Sequence, residues 1–265
     1  MCLKTDLHCH TEFSYDSSAN PEDVVRAALE KGVAVLAITD HYDVDYADCG
    51  MKMEMDFALR KKTILSLKEK YRGKIKVIFG IELGQPYNYP EISQKIVLEN
   101  GFEFVIGSVH SLKGVPDFYY LDYSKMDDQG MIENLYERYL RDLYKLTGVP
   151  YIDTIAHITY PVRYIRDSGK ELDIEKYFPE YRRIFESAVA NDKMIEINTS
   201  EIRKGVNFGA AEKQLFSLYR EAGGRYVTVG ADAHNAVHVA CDFEEAEKLA
   251  QCCGLEIFRD VKEKY

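Results

Sequence analysis

Short apolar runs recur along this chain, and between them apolar residues return every three or four positions. The runs are Leu3–His8, Val33–Thr39, Ile75–Ile81, Phe104–Val109, Tyr151–Ala156, Met194–Asn198 and Tyr226–Gly230. Runs of this kind suit parallel strands covered on both faces. The intervening helical patterns carry their own start and stop signals. Asn20-Pro21-Glu22-Asp23 offers an N-cap, a proline at the first helical position and an early acidic pair, with Gly32 as the stop. Phe57, Ile64, Leu67 and Tyr71 share one helical face ahead of Gly73, and Pro90–Gly101, Ile132–Gly148 and Ala210–Gly223 repeat the pattern. Seven β-then-α units without a Pro-, Gly- or Ser-rich linker predict one α/β domain over residues 1–265, closed or nearly closed into a barrel. Tyr42–Asp56 and Phe118–Tyr123 are the longer connections, and loops after strands are where such folds carry function.

Composition narrows the function classes. A chain of 265 residues with 46% hydrophobic and 29% charged residues is too apolar for disorder. Its 34 Lys and Arg stand against 44 Asp and Glu, a formal charge of −10. That balance disfavours a general nucleic-acid or anionic-membrane surface, so neither is expected as a partner. The one short basic run, Arg60-Lys61-Lys62, reads as the solvated face of a helix. No apolar run approaches the roughly 20 residues of a membrane span, and the N-terminus shows no signal-peptide pattern. The cysteines at 2, 9, 49, 241, 252 and 253 include an adjacent pair but no C-x-x-C. Reduced thiols in a cytoplasmic protein are the expectation.

The histidines bring in the chemistry. Of seven in the chain, six fall at or just beyond the C-terminal end of a predicted strand: His8, His10, His41, His110, His157 and His234. The third run ends instead in Glu82. Barrel strands all point the same way, so these side chains converge on one face. In His8-Cys9-His10 and Asp232-Ala233-His234 the period of two puts both ligand-type groups on the same side. One histidine at a strand end is ordinary, but six with a carboxylate among them point to a metal site. Imidazole suits zinc, iron and manganese, and a carboxylate bridges cations.

These residues, as Asp6-Leu7-His8-Cys9-His10-Thr11 with Ser14 and Asp16, Thr39-Asp40-His41, Gly80-Ile81-Glu82, Ser108-Val109-His110 and Asp232-Ala233-His234, resemble the ordered motifs of the PHP (polymerase and histidinol phosphatase) family. The likeness runs from residue 6 to about 235. It implies a distorted (β/α)7 TIM-like barrel that hydrolyses phosphoesters with a cluster of metal ions at the C-terminal ends of its strands. The turn Gly107–Ser111 followed by Pro116-Asp117-Phe118 looks most like the histidinol-phosphatase branch. So do Ala156–Pro161 with Arg163, and Glu196–Ser200 with Arg203.

Carried over residue by residue, the resemblance implies three divalent transition-metal ions, zinc, manganese or iron. The first would take His8, His10, Glu82 and Asp232. The second would share Glu82 and add His110 and His157, and the third would take Asp16, His41 and His234. Some relatives have a histidine where this chain has Asp16, a carboxylate able to ligate the same ion. Asp40 is expected to orient a ligand ring. The expected substrate is a small phosphate, L-histidinol phosphate in histidine biosynthesis, with a nucleotide or sugar phosphate as the alternative. A hydroxide bridging the first two ions would attack phosphorus in line. Asp232, His234 and Arg163 are then candidate catalytic groups. Arg163 and Arg203 would grip the phosphate, with Ser111, Tyr119 and Asn198 lining the pocket. His238 is expected at the surface or in a cap. A metal amidohydrolase is disfavoured, because Glu82 stands where a bridging lysine would be needed.

Overall fold

The computed structural model describes residues 4–49, 54–126, 128–203 and 209–262. Cys2, Leu3 and part of the Tyr42–Asp56 connection lie outside them. All seven predicted strands form: β1 (Lys4–Asp6), β2 (Val33–Ile38), β4 (Lys76–Gly84), β5 (Phe104–Ser108), β6 (Thr154–Ile155), β7 (Met194–Asn198) and β8 (Tyr226–Gly230). They pair in parallel and in sequence order. Two short strands were not anticipated. One is β3 (His41–Asp43), which lies off the main path and sets His41 opposite Glu82. The other, β9 (Glu256–Ile257), extends the sheet beyond β8. The ring closes through the segment after β1, where Leu7 N–H donates to Val229 O, Asp232 N–H to His8 O and His10 N–H to Ala233 O.

Period-two alternation explains what lies on each side of the wall. Leu36, Ile38, Val77, Phe79, Ile81 and Val105 face the helices, whereas Val35, Ala37, Ile78, Phe104 and Ile106 fill the barrel interior. Val261, near the end of the described chain, plugs that interior from below. Following the same faces upward, Ile78 leads to Glu82, and Phe104 and Ile106 to His110. The polar centre thus sits on an apolar floor.

Five of the helices lie where their signals predicted, and four more among the described residues were not anticipated. In α1 (Pro21–Glu30) the Asn20 side chain accepts from Glu22 N–H, and Pro21 takes the first position. Then come α2 (Phe57–Lys70), α3 (Pro90–Asn100) and α4 (Gln129–Thr147). Between β6 and β7 run α5 (Tyr160–Asp167) and α6 (Phe178–Ala190), followed beyond β7 by α7 (Ser200–Arg203), α8 (Ala210–Glu221) and α9 (Phe243–Cys252). Two expectations are corrected. β1 stops at Asp6, two residues early, because Asp6 turns its carboxylate to the backbone N–H groups of His8, Ala231 and Ala240. And Arg60 is not on a solvated face: it is fully buried beneath the site.

Candidate metal centre

The nine expected ligands come from seven places in the chain. His8 and His10 follow β1, Asp16 precedes α1, His41 opens β3, Glu82 is in β4, His110 follows β5, His157 follows β6, and Asp232 and His234 follow β8. Glu82 is fully buried at their centre. Its Oε1 lies 3.1 Å from both His110 Nε2 and His157 Nε2. Its Oε2 lies 3.2 Å from His8 Nε2, 3.6 Å from His10 Nε2 and 2.6 Å from His41 Nδ1. Asp232 Oδ1 stands 3.3 Å from His10 Nε2 and 3.8 Å from His8 Nε2. On the cavity side, Asp16 Oδ2 is 3.1 Å from His234 Nε2 and 3.6 Å from His41 Nε2. His157 (φ 27°) and Asp232 (φ 50°) adopt left-handed backbone conformations unusual for residues with side chains.

This donor set fits divalent cations. Tetrahedral zinc with bonds of about 2.0–2.1 Å holds neighbouring donor atoms about 3.3 Å apart. Two pairs of imidazole nitrogens face each other at that spacing, His110 Nε2 with His157 Nε2 and His41 Nε2 with His234 Nε2, both at 3.3 Å. His10 Nε2 is buried and has no hydrogen-bond partner, while its Nδ1 is 3.1 Å from Ser14 Oγ. Burial, then the neighbouring His41 and His234, lowers the His10 pKa to about 3, so the ring stays neutral and its lone pair available. Burial opposes charging His41, but Glu82 and Asp16 outweigh it and raise its pKa to about 9. Against the same cost, Glu196 and Glu82 raise His8, and Asp43 and Glu82 raise His110.

The expected ligands are oriented by further buried groups. Asp43 Oδ1 accepts from His110 Nδ1 at 2.8 Å, leaving Nε2 for the centre. Glu196 Oε1 does the same for His8 Nδ1 at 2.7 Å. Both lay in view as His41-Tyr42-Asp43 and Glu196-Ile197-Asn198, acid or amide two residues along a strand end. Asp40 works at one remove. It accepts from Ser14 Oγ at 3.1 Å, and the same hydroxyl faces His10 Nδ1. Arg60 Nε donates to Asp40 Oδ2 at 2.7 Å, and its Nη2 donates to the carbonyls of Ile38 and Gly80. A buried carboxylate required a buried cation, which is why the basic run does not all face solvent.

Residues 6–200 match the PHP domain family. A probable histidinol-phosphatase of Clostridium acetobutylicum is 31% identical over 252 residues, covering 95% of this chain and 94% of that one. This chain belongs to the PHP family. A histidinol-phosphatase of Lactococcus lactis is 24% identical over 257 residues, covering 95% and 91% of the two chains. The crystal structure of histidinol phosphate phosphatase from Lactococcus lactis, complexed with zinc, L-histidinol and phosphate, shares the fold with a TM-score of 0.83 at 21% identity, covering 96% and 95%.

Above the PHP centre opens a cavity of about 560 Å³. Asp16, His41, His110, His157, Asp232 and His234 reach its floor, and Arg163, Arg203, Tyr119 and His238 border it. Arg163, on α5, is buried, donates from Nη1 to Ser200 Oγ at 3.2 Å and lies 4.8 Å from the Tyr160 ring centroid. Arg203 Nη2 donates to the Asp232 carbonyl at 3.2 Å. Tyr119 is exposed, with four other tyrosines (15, 120, 160 and 164) around the same cavity. Ser111 and Asn198 do not line it, contrary to expectation. Ser111 is buried, and Asn198 Nδ2 is spent on Glu196 Oε2 at 3.0 Å and Asp232 Oδ2 at 3.3 Å. His238 stands exposed at the rim in a short turn, its pKa lowered by partial burial and then by Arg203 and Lys31.

Proposed function

We propose that this chain is a metal-dependent phosphomonoesterase that hydrolyses L-histidinol phosphate to L-histidinol and phosphate. The observation that carries the reading is Glu82, buried beneath an arginine-bordered cavity, whose two oxygens face separate groups of histidines at metal-ligand spacing. Near full-length similarity to proteins named histidinol-phosphatase supports the choice of substrate. Three ions fit the donors: one on His8, His10, Glu82 and Asp232, one on Glu82, His110 and His157, and one on Asp16, His41 and His234. Bound divalent ions of this kind, zinc, manganese or iron, lower the pKa of water and neutralise phosphoryl oxygens.

The protein's own residues supply binding and orientation. Arg163, packed on Tyr160 and tied to Ser200, presents a fixed guanidinium to the phosphate, and Arg203 approaches from the Asp232 side. Asn198 and Glu196 hold Asp232 and His8 so that their donor atoms face inward. The tyrosines around the cavity cover the phosphate from solvent and offer flat surfaces to an imidazole ring. Asp232, His234 and Arg163 stand nearest the bound phosphate in this reading. The setting is histidine biosynthesis in the cytoplasm; in the described residues no helix is long and apolar enough to cross a membrane.

The test is a phosphate-release panel on the purified protein, with metal analysis of the same sample. Histidinol phosphate should exceed nucleotide and sugar monophosphates by at least tenfold in kcat/KM, with more than two transition-metal equivalents per chain. Equal rates across the panel would refute the substrate, and one equivalent or none would refute the three-ion centre.

A further inference from the structure

We infer that Glu196 is a positioning residue common to two of the proposed metal sites, fixing the ring of His8 with one oxygen and the backbone of His157 with the other. Glu196 lies in β7, is buried, and is not among the residues that line the cavity. Its Oε1 accepts from His8 Nδ1 at 2.7 Å, and its Oε2 accepts from the His157 backbone N–H at 3.0 Å. His8 faces one oxygen of Glu82 and His157 the other, so a single carboxylate on β7 supports ligands on both halves of the bridge.

Each contact has its own physical role. A histidine that ligates through Nε2 must carry its proton on Nδ1, and a carboxylate accepting that proton holds the tautomer and raises the ring's basicity. His157 sits at φ 27°, a conformation that costs an L-residue energy and persists only where surrounding bonds hold it. The bond from its N–H to Glu196 is one such hold, and Asn198 Nδ2 steadies the accepting oxygen at 3.0 Å. The approach itself depends on Gly230. A Cβ there would lie 2.3 Å from both Glu196 Oε1 and His8 Cβ, closer than atoms can pack.

Both oxygens must accept, and this separates a carboxylate from its isostere. In Glu196→Gln the amide can accept from His8 or from His157, but in either orientation its NH2 meets the other donor. The inference rests on the metal centre proposed above. Its test is competitive zinc titration of the full chain and of E196Q against a chromophoric chelator, with 15N NMR of the histidine side chains in the zinc-loaded proteins. E196Q should keep the ion on Asp16, His41 and His234 tight and bind one or both of the other two about 10–100-fold more weakly. The Nδ1–H signal of His8 should lose its downfield, carboxylate-bound position. E196D, which restores two accepting oxygens on a shorter arm, should recover part of both effects, and it carries the test if E196Q does not fold without metal. Three ions bound at wild-type affinity by E196Q, or an equal loss at all three sites, overturns the inference. Wild-type protein that binds no zinc overturns the metal centre itself.

Discussion

Replacing Arg60 with alanine should destabilise the metal-free protein by about 3–5 kcal/mol, the range for removing one partner of a buried ion pair. Both side chains of the Arg60–Asp40 pair are fully buried at 2.7 Å. The substitution leaves the Asp40 carboxylate facing Thr11 and Ser14 without its cation. It also strips a donor from the carbonyls of Ile38 and Gly80. Burial by itself would raise the Asp40 pKa, but Arg60, then His10, hold it below the ordinary carboxylate value. A depressed folded pKa contributes stability above the unfolded value that is lost as pH falls through the folded one, so the difference between wild type and variant should narrow in acid. Urea denaturation at pH 7 with chelator present measures the effect. With a slope of about 2–3 kcal/mol/M, the midpoint should fall by about 1–2.5 M. Lys62→Ala, on the exposed side of the same helix, should change stability by no more than about 0.5 kcal/mol. An Arg60→Ala loss no larger than that control would refute the buried-pair argument.

Two further outcomes follow from the same geometry. Arg163→Ala should lower kcat/KM for the phosphate ester by about tenfold to a hundredfold, the value of a charge-assisted hydrogen bond of about 1.5–3 kcal/mol, with bound metal unchanged. Metal lost along with activity would instead place Arg163 in support of Asp232. Loading the chelated protein with zinc at pH 7 should release protons. His41, with a pKa raised to about 9, is charged there and must deprotonate to ligate, and the raised pKa values of His8 and His110 act in the same direction. Calorimetry in buffers of different ionisation enthalpy counts those protons; a heat independent of buffer would contradict the shifts.

The strands and helices were legible because their signals are local. Apolar runs, Asn20-Pro21 and the stop glycines act over a few residues, and the structure places the predicted elements within a few residues of those signals. The short elements were harder. His41–Asp43 is three residues that become β3 only because the end of β4 lies beside them. The helix Phe178–Ala190 did carry a readable spacing, with Tyr181, Ile184, Phe185 and Ala188 buried on one face.

The ligand types were readable for a different reason. A histidine or carboxylate at the end of a barrel strand must face the same side as its counterparts, so position in the chain implies convergence. The groups that steady them stood in view, but their pairings were hidden, since each depends on a partner far away. Glu196 meets His8 across 188 positions, and Asp43 meets His110 across 67. Arg60 looked like its neighbours Lys61 and Lys62, and only burial against Asp40 set it apart. Hence the sequence by itself determined the parallel barrel and the residue types that gather at its rim, because hydrophobic period and strand direction are written locally. Which oxygen faces which nitrogen, which arginine is buried and which residues line the cavity were decided by the tertiary structure alone, because desolvation and hydrogen-bond geometry exist only once distant segments meet.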